Sequence, residues 1–357
     1  MYIMKKYLLF AILLCVWISC RDARTVSDMG FETLKIRVKE AVPFDGELRA
    51  ERTFVLEVKN DLFPGMVQGM SVVNDTVYIL DTFKAKGLYV YDKNGTFLYA
   101  YDRIGQGVGE FMDLEGFQVG DSSVYLLDSS CKQILIIDKK GKYISTQKFP
   151  DNDYISSFAV EKGGGLWIDR GNSGGMDGIS KLLYQKVNND VAMTVLPVFE
   201  ELKGKTISPL NSFAVYGSAI HYLPALENVI YECKEGMAEV IYKLDFAGDW
   251  PTKSFFERNR DAHPLTLFRK IEESGYVTGL NFLEDASYLV LNFHHDGSHY
   301  LYVYDKKMKR QKLYRDEARC LYQPVCLESG RLYVAQESED SFVIHIYDLS
   351  SCVTARV

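Results

Sequence analysis

The sequence predicts an all-β chain folded as a single six-bladed β-propeller, and three observations carry that prediction. A unit of short apolar strands, each ending in a polar turn, recurs six times along the chain. The two best-matched units repeat with a period in the forties: Val77 to Val124 is 47 residues and Gly95 to Gly141 is 46. Several strands within a period of that size suit a propeller blade, whereas a helical solenoid needs apolar residues three and four apart. The third observation is a spare strand near the start of the chain, which matches a strand missing at its end.

Residues 1–19 read as a processing signal. Lys5 and Lys6 precede an apolar run from Tyr7 to Ile18, which is shorter than the roughly 20 residues that a membrane-spanning helix needs. Trp17-Ile18-Ser19-Cys20 resembles the lipobox of bacterial lipoproteins, with Trp17 standing where that motif has Leu. The resemblance implies acylation of Cys20, with residues 20–45 as anchor and spacer and 46–357 as the propeller. A plain secretory peptide is the alternative. Removing residues 1–19 takes away two lysines and no acid, moving the formal net charge from −7 to −9. An acidic chain lacks the footprint of a nucleic-acid binder, and attachment to a membrane would rest on lipid.

The spare strand is Thr53 to Val58 (TFVLEV). The repeats then begin with TVYILD (from Thr76), SVYLLD (Ser123), GLWIDR (Gly165), NVIYEC (Asn228), SYLVLNF (Ser287) and RLYVAQ (Arg331). Their apolar members are β-branched or aromatic, the types that fit a pleated, half-buried surface. A second strand follows each, and the first two of these end in Asp-Lys-Asn-Gly and Asp-Lys-Lys-Gly, turns that put Gly where φ is positive. The spacing widens to 63 residues from Leu166 to Val229 and to 59 from Val229 to Tyr288. The second excess contains Lys253 to Ser274, where Leu265, Phe268 and Ile271 lie at helical intervals before Gly275. A helical insertion between blades four and five is expected. The last unit ends near Leu349 with no chain left for its outer strand, so residues 53–58 are expected to complete the sixth sheet and close the ring.

GQGVGEF (from Gly105), followed by SVYLLDSSCKQILIIDKKGKYI, resembles the NHL-type propeller repeat. The whole looks like the six-bladed propeller lipoproteins of the NHL/TolB-like group of certain Gram-negative bacteria. Val108 and Phe111 replace the usual Pro and Tyr of that Gly-rich segment. AIHYLPALENVIYECKEGMAEVIYKLDF looks like a middle blade of the same group. The resemblance implies fold and a lipid-anchored envelope location, at the outer membrane, and little chemistry.

Propeller topology gathers the second-to-third-strand turns and the links between blades on one face. That face is the expected binding surface, with Arg103, Gln106, Glu110, Asp113, Arg170, His294 and His295 as candidate ligand contacts. GQGVGEF lacks the Lys-Ser/Thr ending of a P-loop and opens into a strand, so its glycines read as a tight interblade link. His294, His295 and His299 form a weak candidate metal set, because neighbours on a strand point to opposite faces. Asp81, Asp128 and Asp169 recur at one blade position, where an acid accepts backbone N–H bonds from the following turn. Cys320 and Cys326 flank Pro324 and either pair across the bend or serve as small buried hydrophobes. No catalytic set can be placed, and no cofactor is called for. The expected role is binding a glycan, peptide or protein of the envelope on the top face; the alternative is a metal-assisted hydrolase or lyase at the channel mouth.

Overall fold

In the computed structural model the described residues are 30–44, 48–60, 62–149, 154–174, 178–186, 192–205, 209, 211–317, 324–338 and 341–353. Contacts divide the chain into Met1–Glu32, of which only 30–32 are described, and Thr33–Val357. Cys20 and Cys320 lie outside the described residues; Cys326 is a buried free thiol.

Three short strands come first: β1 (Glu32–Lys35), β2 (Val42–Pro43) and β3 (Ala50–Val55). Blade one is β4 (Gly69–Val73), β5 (Thr76–Asp81), β6 (Gly87–Asp92) and β7 (Phe97–Tyr101). Blade two is β8 (Leu114–Val119), β9 (Ser123–Asp128), β10 (Gln133–Asp138) and β11 (Tyr143–Lys148). Blade three is β12 (Ser157–Val160), β13 (Leu166–Asp169), β14 (Ser180–Gln185) and β15 (Met193–Pro197). Blade four is β16 (Phe213–Tyr216), β17 (Ala219–Tyr222), β18 (Val229–Lys234) and β19 (Met237–Asp245). Blade five is β20 (Thr278–Glu284), β21 (Tyr288–His295), β22 (Ser298–Asp305) and β23 (Arg310–Asp316). Blade six has β24 (Pro324–Glu328), β25 (Arg331–Glu337) and β26 (Phe342–Asp348), and β3 supplies its outer strand. Neighbouring innermost strands touch in cyclic order, β24 against β4 included, so the ring is closed.

Closure uses residues slightly earlier than expected. Phe54 pairs with Ile344 and Val55 with Val343. Phe54 and Leu56 are buried with Val77, Ile79 and Tyr89 of blade one and Ile344 of blade six. Burying one such ring stabilises the fold by about 2 kcal/mol, so the first and last sheets are joined by packing as well as by hydrogen bonds. Gly95, with φ +86°, shows how tight the seam is, since a Cβ there would sit 2.2 Å from the Val55 carbonyl oxygen.

Two expectations change. Residues 20–45 are not all spacer: β1 pairs with β19 at the edge of blade four, and β2 runs parallel to β23 of blade five, Val42 beside Tyr314. The reason is legible in Leu34-Lys35-Ile36-Arg37-Val38, where apolar residues alternate with charged ones and Leu34, Ile36 and Val38 are buried in the core between blades four and five. Arg37 fastens this strap through a 2.7 Å ion pair with Asp245. In blade four, NVIYEC forms the third strand, whereas TVYILD and SVYLLD, with which it was matched, form the second strands of their blades. The second strand is the four-residue β17, whose Ala-Ile-His-Tyr gives a weaker apolar signal, so the wide gap before Val229 came from matching unlike strands.

The insertion between blades four and five is helical, as α1 (Lys253–Arg258) and α2 (Pro264–Glu273). Thr252 caps α1 by accepting from the Phe255 N–H at 3.2 Å, and Pro264 opens α2 where no N–H is needed. The buried stripe of α2 is Leu267 and Ile271, packed on Leu202, Phe255 and Phe256. Leu265 is 76% exposed.

Candidate functional site

Innermost strands begin on one face, here the top, which also carries the links between blades and the turns between second and third strands. On blades one and two this face is occupied with its own bonding. Asp81, fully buried, accepts N–H bonds from Gly65, Met66, Phe83, Lys84 and Ala85 at 2.6–3.0 Å. Asp128 accepts from Met112 at 3.0 Å and from Asp113 and Cys131 at 3.2 Å, and from the Gln133 amide at 3.0 Å. Asp169 accepts from the Gly171 N–H at 2.7 Å and the Tyr222 hydroxyl at 2.9 Å, and burial pushes its carboxyl up. These acids tie turns and blades together.

The Gly-rich link is equally self-contained. The Gly105 N–H donates to the Phe111 carbonyl at 2.8 Å, the Phe111 N–H to the Arg103 carbonyl at 3.0 Å, and the Gly107 N–H to the Glu110 carboxylate at 2.7 Å. Arg103 and Gln106 stay exposed, the former 5.8 Å over the Tyr101 ring. Asp113 stands apart from them on the channel wall, paired with Lys86 at 2.7 Å and accepting from the Ser130 hydroxyl at 2.7 Å. The Lys86 ammonium, then Ser130, hold its carboxyl below the usual carboxylate range.

Arg170 is 4% exposed. His294 and His299 face each other across the hairpin, ring centroids 5.3 Å apart, yet His299 is buried 3.6 Å from Asp316 and His295 lies 3.7 Å from Asp296. Among the described residues no group of three or more His, Cys, Asp or Glu is placed to hold a metal. Of the seven candidate contacts and His299, Asp113 lines the central channel and His294 a second hollow, and the others line neither.

Two hollows are formed by the described residues of the ring, among others. The central channel, about 630 Å³, is walled by the innermost strands. Gln118 bridges two of these by exchanging bonds of 2.7 and 2.9 Å with the Val160 backbone. Toward the opposite face Glu284, on the channel wall, accepts from Lys306 at 3.0 Å and from Tyr216 at 3.2 Å and lies 2.6 Å from His221 Nδ1, a cluster that joins blades four and five.

The second hollow, about 480 Å³, lies on the top face beneath the helical insertion. Trp250, Phe256, Phe268 and Ile271 come from the insertion side, and Leu223, Leu226 and Leu280 from blades four and five. Trp250 stacks on Phe246 at 5.4 Å, which fixes its ring as a wall. Polar groups on the lining are Glu227, Thr278, Asn281, Asn292 and His294. Glu227 is held by Lys181 in a buried ion pair, and Lys181 also lies 4.7 Å over the Phe199 ring. Burial pulls the Lys181 ammonium below the usual lysine range. Among the sequence-stated candidates only His294 reaches this hollow. Thr278, Asn292, Glu227 and Lys181 carried no motif, because the segments that bring them together are far apart in the chain.

The architecture defines a six-bladed propeller closed by its N-terminal strand, with a lateral cavity built by an insertion. The chain belongs to the DUF5128 family, described as a 6-bladed beta-propeller, whose model matches residues 41–345. No curated protein matches it. Among solved structures it is similar to a Bacteroides fragilis NCTC 9343 protein named as exported (BF0058), with TM-score 0.76 and 16% identity over 89% of this chain and 99% of that one. A DUF4221-family member from Bacteroides vulgatus ATCC 8482 is similar at TM-score 0.55 and 8% identity, covering 84% and 97%. Identities this low show the fold alone.

Proposed function

We propose that this protein is an exported propeller, tethered to the cell envelope through lipid on Cys20, that binds a ligand on its top face in the cavity between blades four and five. The signal-like start, and the name of the Bacteroides fragilis relative, support export. The cavity carries the binding reading: about 480 Å³ is within the range of small-molecule sites, and its walls are apolar with a few polar groups, as such sites are. Its carboxylate, Glu227, is neutralised by Lys181, so the wall offers recognition rather than a free base. A glycan, peptide or protein of the envelope as partner remains compatible with the same face.

Filling the cavity tests the reading. Small molecules retained from envelope extract by the wild-type protein after ultrafiltration are expected to be absent from Leu280→Trp of equal thermal stability. Identical retained sets would contradict a site in this cavity. For the tether, Cys20→Ser is expected to abolish incorporation of an alkyne-labelled fatty acid, and a wild-type protein that takes up no label would refute lipidation.

A further inference from the structure

The cavity lining contains two polar side chains without a hydrogen-bond partner among the described residues. Asn292 is 9% exposed and Thr278 7%, both on blade five and both facing the hollow. Asn281, beside Asn292 in the sheet, donates its amide to the Gly279 carbonyl at 3.1 Å. Among the described residues neither the Asn292 amide nor the Thr278 hydroxyl makes a hydrogen bond. Their polar atoms are not fully enclosed, and the hollow is the side from which a partner can reach them, so they are groups available to something that enters it.

What enters can be narrowed by chemistry. An Asn amide offers two N–H donors and a carbonyl acceptor, and a Thr hydroxyl can do either. They complement a group that presents a donor and an acceptor side by side. The remaining wall, from Trp250, Phe256, Phe268, Leu223, Leu226 and Leu280, demands an apolar body. A hydrophilic sugar would bury several hydroxyls against that wall without partners. A carboxylate would lie in the same hollow as Glu227, and an ammonium would find that acid already paired with Lys181.

We infer that the cavity, taken as the ligand site just proposed, binds a neutral, largely apolar molecule whose carboxamide-type edge is recognised by Asn292 and Thr278. The amide edge meets the two blade-five side chains while the apolar body lies between Trp250 and the insertion helices. Selectivity then resides in blade five, and the capacity for apolar ligands resides in the insertion.

Three probes that share one ring test this by calorimetry: indole-3-acetamide, the uncharged apolar 3-ethylindole, and the anion indole-3-acetate. The acetamide is expected to bind about tenfold tighter than 3-ethylindole, the size of one well-made hydrogen bond, and the acetate weaker than both. Asn292→Leu should bring the acetamide down to the affinity of 3-ethylindole while leaving the latter unchanged, and Thr278→Val should remove part of the preference. Asn292→Leu should also keep a melting temperature close to that of the wild type, because the Asn292 amide makes no hydrogen bond among the described residues. A lower melting temperature would mean that the amide is bonded in the native protein and overturns the inference. Equal binding of both neutral probes to the wild type overturns amide recognition but leaves the cavity as an apolar site. No binding of any probe overturns the inference too, and the Leu280→Trp comparison then judges the cavity itself. Tighter binding of glucose than of the acetamide would likewise refute it.

Discussion

Blades one and two differ from blades four and five in what their polar groups do. In the first pair, Asp81, Asp128 and the Glu110 carboxylate are consumed by backbone N–H groups of their own links, and Asp92 and Asp138 hold their turns with bonds of 2.8–2.9 Å. In the second pair an insertion opens a cavity, and Asn292 and Thr278 line it without hydrogen-bond partners among the described residues. Regular blades thus use these polar groups to hold the ring, and the irregular pair turns two toward a cavity. The Gly-rich loop, whose glycines read as a tight interblade link in the sequence, is held by its own hydrogen bonds in the structure.

The largest expected effect belongs to the regular side. Asp81→Ala leaves five N–H groups without their acceptor and is expected to lower unfolding stability by about 4 kcal/mol, read from urea denaturation. A loss below 1 kcal/mol would mean that water replaces the carboxylate and that the contrast between blades is weak. On the irregular side, Leu267→Ala removes the fully buried centre of the helix pair and costs about 2–3 kcal/mol locally. Hydrogen exchange should then quicken across residues 253–273 while blades one and two keep their protection. Global unfolding in step with the helices would show that the insertion is part of the ring's core.

The smallest effect concerns the strap. The Arg37 guanidinium, with the Ala247 N–H, holds the Asp245 carboxyl below the usual carboxylate range. A carboxyl lowered in the folded state adds stability that is present above its unfolded pKa of about 3.9 and is lost as pH falls through the lower folded value. Because the pair is partly exposed, Arg37→Ala is expected to cost at most about 1 kcal/mol at pH 7 and to flatten the acid limb of the stability curve. An unchanged acid limb would remove this pair from the account of the strap.

Legibility in the sequence follows the same division. Blades one and two could be read because Asp-Lys-Asn-Gly and Asp-Lys-Lys-Gly are local turn chemistry, and TVYILD and SVYLLD are nearly one segment repeated. The closing strand could be read because the last unit lacked a fourth partner. Blade four slipped by one strand because β17 is only four residues long and ends against Leu223-Pro224. The strap at residues 32–43 passed as spacer although Leu34, Ile36 and Val38 alternate, because its strands are four and two residues long and pair at sheet edges. In α2 one member of the stripe differs: Leu267, not Leu265, faces inward, while Ile271 is buried as expected. The cavity escaped altogether. Its walls come from Met66, Pro209 and residues within 223–227, 250–271, 277–281 and 292–294, and nothing in any one of those segments announces the others.

A crystal structure of the protein soaked with indole-3-acetamide examines the account where it is most exposed. Density for the probe is expected between Trp250 and the helices, with its carboxamide within hydrogen-bond distance of Asn292. Density in the central channel instead, or an empty cavity at a concentration that saturates the protein in solution, would contradict it.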